Sequence, residues 1–591
     1  MGRLPVSAVG RLRSAAKEAS HPGWFAMTVA DAIDAYEEKA RALLDAYRIG
    51  SAEAMARHHR LTWHRREWHA MRRYVQLDLG KRPLRDGDDV PITIDDARHL
   101  IAIEHGFDGW AALKAFATVL PDGAPMAAAP VRILSSSDDG ATTQFRSHDW
   151  SAVLRALEAQ PGAVLDANGQ MTDALLEQIS AIPTITTLKL GNSSAVTDDG
   201  IRHLARMPQL RHLDLSQTSV TDAGLSVARE LPALESLSLV MTNVTDAGAV
   251  HLTGCEALRQ LNLMWTSTGD GAIRALAGKT ALSHFWSGNN VTDAGLSALH
   301  ALPVFTTWQG VDTPLALLSS SSGANHLALR GAFTDAGMDR LRRLDGLFGL
   351  DLDDSSLALT ARAMRTLTAL PHLGRLAVDA KDDWMPAIAE IPALRFLGIQ
   401  DTVAGDDGFE ALSRSQSLEY IWGRRCHNLR TRGFIALRNL QQLRGLSVSC
   451  LNVGDDGLAT LPDFPALREL MPMDVPDAGY RHIGRCTNLE ALLLMYCRDT
   501  TDGATEHIAG LSNLTRYFNS YTTITNRTPT LLSTMDSLQE ITFDACHGLT
   551  DAGIATLARL PRLITLRVAG NGLTPKVAAP FADRVTVHYS T

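Results

Sequence analysis

The chain has 591 residues, 45% of them hydrophobic, and a formal net charge of −9. Such a chain can bury a large core, and its acidic balance argues against a nucleic-acid coat or a polybasic membrane anchor. Its six cysteines fit no disulfide framework at this length and are expected to stay reduced in a cytosol.

Arg3, Arg11, Arg13 and Lys17 punctuate the opening residues with no sustained apolar run between them, so no secretory signal is expected. No later stretch approaches the roughly 20 apolar residues of a membrane span, and the chain reads as cytoplasmic. Residues 5–120 show helical periodicity and form the first unit, an all-α module. An amphipathic run begins at Thr28 and reaches Tyr47. Thr93, followed by Asp95 and Asp96, predicts a capped helix from Ile94 toward His105, because such residues satisfy free backbone N–H groups of the first turn. Gly106 is placed to end it. Between these helices, Arg57 to His69 is basic and aromatic, with Trp63 and Trp68. Contact with an acidic partner or nucleic acid is one reading of it. A solvated helix face over two core tryptophans is the preferred one. His64 and His69 have a poor helical spacing for one metal.

Residues 121–145 read as a linker. Pro121, Gly123 and Pro125 precede a run of alanines and then Ser135 to Ser137. One short strand is expected within it, at 131–134.

From 146 to 591 one phrase keeps returning. Thr-Asp-Ala-Gly occurs at 221–224, 245–248, 292–295, 334–337 and 550–553, and Asp198, Asp222, Asp246 and Asp270 are each 24 residues apart. A fixed period of about 20–29 residues with leucines at set offsets marks a leucine-rich solenoid, whose units touch only their neighbours. In the unit that opens at Leu210, Leu210, Leu213 and Leu215 point inward from a short strand. Asp222 then falls where a helix N-cap belongs, Leu225 and Ala228 face the core, and Pro232 leads toward the next strand. The predicted fold is α/β: one strand and one helix per unit, roughly 18 repeats, strands lining a concave side, behind an all-α N-terminal domain. The period lapses between Asp293 and Asp335, 42 residues apart, where a shortened unit is expected at 312–314. It is nearly lost between Asp351 and Asp383. Both lapses read as eroded repeats, with loops built for function as the alternative.

The Leu-x-x-Leu-x-Leu and Thr-Asp-x-Gly phrases resemble the cysteine-containing leucine-rich repeats of F-box-type substrate receptors and of many bacterial proteins. Good copies run from Cys486 through Leu494 to Cys497, and from Leu538 through Cys546 to Thr550 and Asp551. The resemblance implies a fold and no activity. It also implies that the position just after the strand turns inward and bonds the neighbouring coil's backbone. Thr218, Thr242, Thr266, Thr402, Cys426, Cys497 and Cys546 hold that position. The first zone resembles the helical leader that precedes ankyrin repeats in many bacterial proteins, through residues 39–44, 92–98, 103–110 and 113–114. Here no ankyrin repeats follow, so it reads as a portable cap or docking module.

Asp198, Asp222, Asp246, Asp293 and Asp551 invite calcium or acid–base chemistry, since one repeat sets neighbours about 5 Å apart. N-capping explains each without a ligand and is preferred. No C-x-x-C pair, phosphate loop, nucleophile elbow or paired-histidine motif occurs, so no metal, cofactor or catalytic residue is assigned. One constellation stands out among the residues between the inward leucines. Early ones are small or polar: His212, Asp214, Ser236, Ser238, Gln260 and Asn262. From the middle onward Met264, Trp286, Tyr420, Trp422, Met471, Met473, Leu493, Met495 and Phe518 take those positions. Aromatics and methionines gathered on one face mark interaction sites. A slipped register that turns them inward is the alternative. The expected partner-binding residues are Trp286, Tyr420, Trp422, Met471, Met473, Met495 and Phe518, facing solvent when no partner is bound.

The sequence thus reads as a non-enzymatic scaffold of bacterial type that binds a protein partner on the concave side, with neither nucleic acid nor membrane as partner. A substrate receptor or adaptor of a degradation or modification machine, docked through its first zone, is one rival reading. An enzyme with a site between the two domains is another, and requires convergent His, Asp and Glu side chains.

Overall fold

The inward leucines of successive units stack into one long sheet. The structure is a computed structural model. It describes residues 29–49, 54, 91–104, 109–117, 131–134, 143–147 and 149–590, apart from 168, 311–313, 318–324, 353–358, 401, 424–425, 496, 498–499, 545, 547, 570–572 and 583. The basic segment from Arg57 to His69 and the expected helix stop at Gly106 lie outside the described residues.

Helices Val29–Ile49, Ile94–Glu104 and Trp110–Ala117 pack around Tyr36, Leu43, Tyr47, Leu100, Ile101 and Leu113, a core separate from that of the solenoid. The Thr93 hydroxyl accepts the Asp96 N–H at 3.2 Å while the Asp96 carboxylate accepts the Thr93 N–H at 2.7 Å, a reciprocal cap. Arg98 forks onto Glu37 at 2.6 and 2.8 Å, joining helices Val29–Ile49 and Ile94–Glu104 and holding the Glu37 carboxyl below its usual range. Among the described residues no helix is long and apolar enough to cross a membrane.

Strand Val131–Leu134 pairs antiparallel with Thr143–Ser147 on one side and Val164–Asp166 on the other, and Val131 and Ile133 are buried in the solenoid core. From Val164–Asp166 to Thr586–Ser590 every pairing is parallel, 17 pairings linking 18 strands. That agrees with the repeat number read from the period. The middle residue of each three-residue strand points into the core, as with Leu213, Leu237, Leu261, Phe285 and Leu327. The unbroken row gives the α/β solenoid its single axis.

The Thr-Asp-Ala-Gly phrase acquires a different division of labour from the one expected. The N-cap is the threonine. Thr197, Thr245, Thr292 and Thr334 have extended backbones, and each hydroxyl accepts the N–H two residues on. The aspartate, at the first helical position, is thereby free to reach the next coil. Asp222 accepts the Thr245 N–H at 2.7 Å and the Thr245 hydroxyl at 2.6 Å, and Asp198 treats Thr221 the same way at 2.8 and 2.5 Å. Asp246 meets Gly269 in place of a threonine and gathers the N–H groups of Gly269, Gly271 and Ala272. The glycine leaves room for the preceding coil's carboxylate, since a Cβ at Gly248 would lie 2.4 Å from Asp222 Oδ1. The period is therefore that of a clasp between coils.

Two clasps later in the chain, at Asp502 and Asp551, make stability depend on acid. Hydrogen bonds from Thr574 hold the Asp551 carboxyl below its ordinary value. Burial pushes Asp502 upward, yet the bonds from Thr525 and Thr528 outweigh it and its pKa is also lowered. A carboxyl with a depressed folded-state pKa contributes stability that is whole above its unfolded value near 4 and is lost as pH falls through the folded value. Melting followed from neutral pH downward is expected to be level to about pH 5 and to fall steeply below about pH 4. A level profile down to pH 3 would count against the clasps.

All six cysteines are buried thiols. Cys426, Cys497 and Cys546 point at carbonyls of the preceding coil, those of Ile399, Pro472 and Asn519, and Thr402 bonds Ala380 likewise. Thr218, Thr242 and Thr266 instead bond their own coil, at Leu215, Leu239 and Leu263, each at 2.7 Å. The residues before them, Gln217, Met241 and Trp265, are left-handed with φ of 55°, 57° and 62°, which tightens the turn and brings the nearer carbonyl into reach. Burial pushes the Cys497 thiol up to about 12 and that of Cys546 to about 11.

Residues 312 and 313 of the expected shortened unit lie outside the described residues, and the pairing of the flanking strands leaves no place for a separate unit there. Strand His284–Trp286 pairs directly with His326–Ala328, so the interval of 42 residues from His284 to its partner His326 is one unit, an excess of 18 over the 24-residue period. The helical turn Pro303–Thr306 lies within that interval. The faded phrase between Asp351 and Asp383 costs no strand, since Gly349–Asp351, Arg375–Ala377 and Phe396–Gly398 stay in register.

Candidate functional site

Alternation along each strand sends one row of side chains to the core and the rows beside it to the opposite face. Register places Phe396 beside Tyr420, Gly398 beside Trp422, Ser447 beside Met471, Ser449 beside Met473, and Leu493 beside Phe518. Because Leu397, Ile421, Leu446, Leu470 and Leu492 take the inward row, these residues cannot also be core. They form a second apolar cluster of their own. Tyr420, Met471, Met473 and Leu493 are its buried members, with Trp422, Met495 and Phe518 partly buried against them. The structure thus brings six of the seven expected residues together. Trp286 stands apart in an aromatic row, its ring 5.8 Å from His284 and 5.8 Å from His326. There the buried His326 sits 3.1 Å from the Asp351 carboxylate. Burial raises the Asp351 carboxyl, but His326, Arg375 and Arg330 together hold it below its ordinary value.

The expectation of a solvent-facing stripe is corrected. Tyr420 is 6% exposed, Met471 3% and Met473 9%, because the chain's own excess segment lies on them. Leu315 and Leu317, from the 42-residue unit, pack into the cluster together with Phe348 and Phe396. Trp308, where the segment leaves the coil, stacks on His372 with centroids 4.2 Å apart and planes 13° apart. The Leu317 N–H donates to Glu469 Oε2 at 3.1 Å, while Arg516 donates to the other oxygen at 3.0 Å. Gly445 makes the approach possible, since a Cβ there would lie 2.4 Å from the Tyr420 ring and 2.9 Å from Leu317. Burial under this segment, with Glu469 and Glu419 nearby, raises the Tyr420 phenol. The sequence reading missed Leu315, Leu317, Phe348, Phe396 and Glu469. The 42-residue interval was the available signal for the first two.

Charged residues border the cluster. Arg395 pairs with Glu419 at 2.7 Å, Arg444 lies 3.8 Å from the same carboxylate, and Arg468 faces Glu490 at 3.4 Å. Earlier strands present polar side chains at the same positions, with His212 and Gln260 exposed. Among the described residues no three His, Cys, Asp or Glu side chains converge as a metal site.

No family model matches the chain. Among solved structures it is similar to the TLR13–ssRNA13 complex, at 17% identity over 70% of each chain with a TM-score of 0.41. It is also similar to the Rad7 and Elc1 complex in yeast, at 14% identity over 74% of this chain and 91% of that one, with a TM-score of 0.30. An internalin from Listeria monocytogenes is 14% identical over 75% of this chain and 95% of its own, with a TM-score of 0.23. Likeness at this level bears on no partner. The fold itself is that of a leucine-rich repeat solenoid, with 18 strands in parallel register and their leucines inward.

Proposed function

We propose that this solenoid is a non-enzymatic scaffold that binds a protein partner on the strand face. The observation that carries the reading is the second apolar cluster. The inward rows already supply the core, so coil formation does not call for Tyr420, Trp422, Met471, Met473, Met495 and Phe518 on the opposite face. An apolar centre bordered by ion pairs is the anatomy of a protein interface. Trp422, Met495 and Phe518 keep part of their surface in solvent. The outward rows offer contact area and paired charges, which suits binding more than bond-making. We place this scaffold in a cytoplasm, with the N-terminal helices as a cap or docking module.

Trp422→Ala and Phe518→Ala are each expected to weaken a partner by about 2 kcal/mol, or about 30-fold, because binding energy concentrates in a few aromatic anchors. Melting should barely change, since both side chains lie outside the main core. The check is capture of the partner from the source cytosol, titrated against each variant beside its melting curve. Unchanged capture by both folded variants would remove the strand face as the binding surface.

A further inference from the structure

We propose that Leu315 and Leu317 act as an internal ligand of the strand face, and that the partner replaces them with a peptide carrying two leucine-like side chains two residues apart. The inference rests on the binding role proposed above and adds the partner's chemistry and the resting state of its site.

Four observations carry it. First, the segment lies across strands that are not its own. Six strand pairings separate His326 from Glu469. Leu315 and Leu317, two residues apart, both enter the apolar cluster. Second, their contacts belong to that cluster and not to the main core, so the segment can leave without opening a coil. Third, Glu469 is 8% exposed and holds one carboxylate oxygen on Arg516 and the other on a backbone N–H. A main-chain contact of this kind is open to any peptide that presents an N–H there. Fourth, the fit is imperfect. Ser447 lies between Trp422 and Met471 on the outward row, fully buried, and its hydroxyl has no partner among the described residues. A buried hydroxyl without a hydrogen bond weakens whatever covers it. An incoming peptide that offers a carbonyl at Ser447 gains a bond that the internal segment lacks.

The test uses the full chain. In the wild-type protein, the Leu317 amide is expected to exchange hydrogen at least ~100-fold faster than the amides of strand Glu469–Met473, because the segment lifts without global unfolding. Exchange as slow as the strand's would overturn the proposal. Leu315→Ser/Leu317→Ser is expected to unseat the segment while the solenoid stays folded. A labelled synthetic peptide of residues 308–317 should then bind this variant at least ~10-fold more tightly than wild type, where the tethered segment competes at an effective millimolar concentration. The same peptide with both leucines changed to serine should not bind, and Glu469→Gln should weaken the authentic peptide. A folded variant that ignores the peptide overturns the proposal. So does a solenoid that melts as if a core leucine had been lost, which would make the segment a structural brace. Partner capture abolished by Trp422→Ala but not raised by Leu315→Ser/Leu317→Ser overturns this inference alone. Capture untouched by Trp422→Ala overturns the scaffold reading, and with it the partner half of this one.

Discussion

Leu237→Ala is expected to destabilise the solenoid by about 2–5 kcal/mol, the range for deleting most of a buried leucine and leaving a cavity. Leu237 is 2% exposed and sits in register between Leu213 and Leu261, so the cavity opens between three coils. Each coil touches only its neighbours, and the damage should therefore be local. Hydrogen exchange is expected to accelerate in the strands His212–Asp214, Ser236–Ser238 and Gln260–Asn262 well before it does in distant ones such as Glu540–Asp544. Uniform loss of protection along the whole row would mean that the chain unfolds as one unit and would sink the nearest-neighbour account.

Substitutions in the clasp between coils should have the next largest effect. Gly248→Ala places a Cβ against the Asp222 carboxylate and 3.0 Å from its Cα, in a carboxylate already held by Thr245. Overpacking of that kind costs about 1–3 kcal/mol. Asp222→Ala deletes both acceptors of Thr245 and should cost a similar amount, about 1–3 kcal/mol, because a partly buried N–H and hydroxyl lose their partner. Asp222→Asn should be much milder. The chain itself contains that arrangement, with Asn526 Oδ1 accepting the Thr550 N–H and its Nδ2 donating to the Thr550 hydroxyl, both at 2.9 Å. Chemical denaturation of the three variants checks the order. Equal damage from Asp222→Ala and Asp222→Asn would point to a role for the charge, and a harmless Gly248→Ala would show that the glycine makes no room for the clasp.

The sequence by itself determined the architecture, because a solenoid's long-range contacts are copies of short-range ones. A spacing of 24 residues places like beside like, so Leu213, Leu237 and Leu261 could be assigned to one inward row before any coordinates. The same alternation correctly set Tyr420, Trp422, Met471 and Phe518 on the opposite face. Two features were settled only in three dimensions. Which of threonine and aspartate caps the helix depends on where the next coil's N–H lies, 23 residues away in the case of Asp222 and Thr245, and either residue type caps well by itself. The covering of the strand face depends on a contact between Leu317 and Glu469, 152 residues apart and outside the period. A repeat pattern encodes neighbours one unit away. It holds no information about a segment that leaves its own coil and settles on another six strands along, and there only the packing of Leu315 and Leu317 against Tyr420 and Met471 decides what the surface presents.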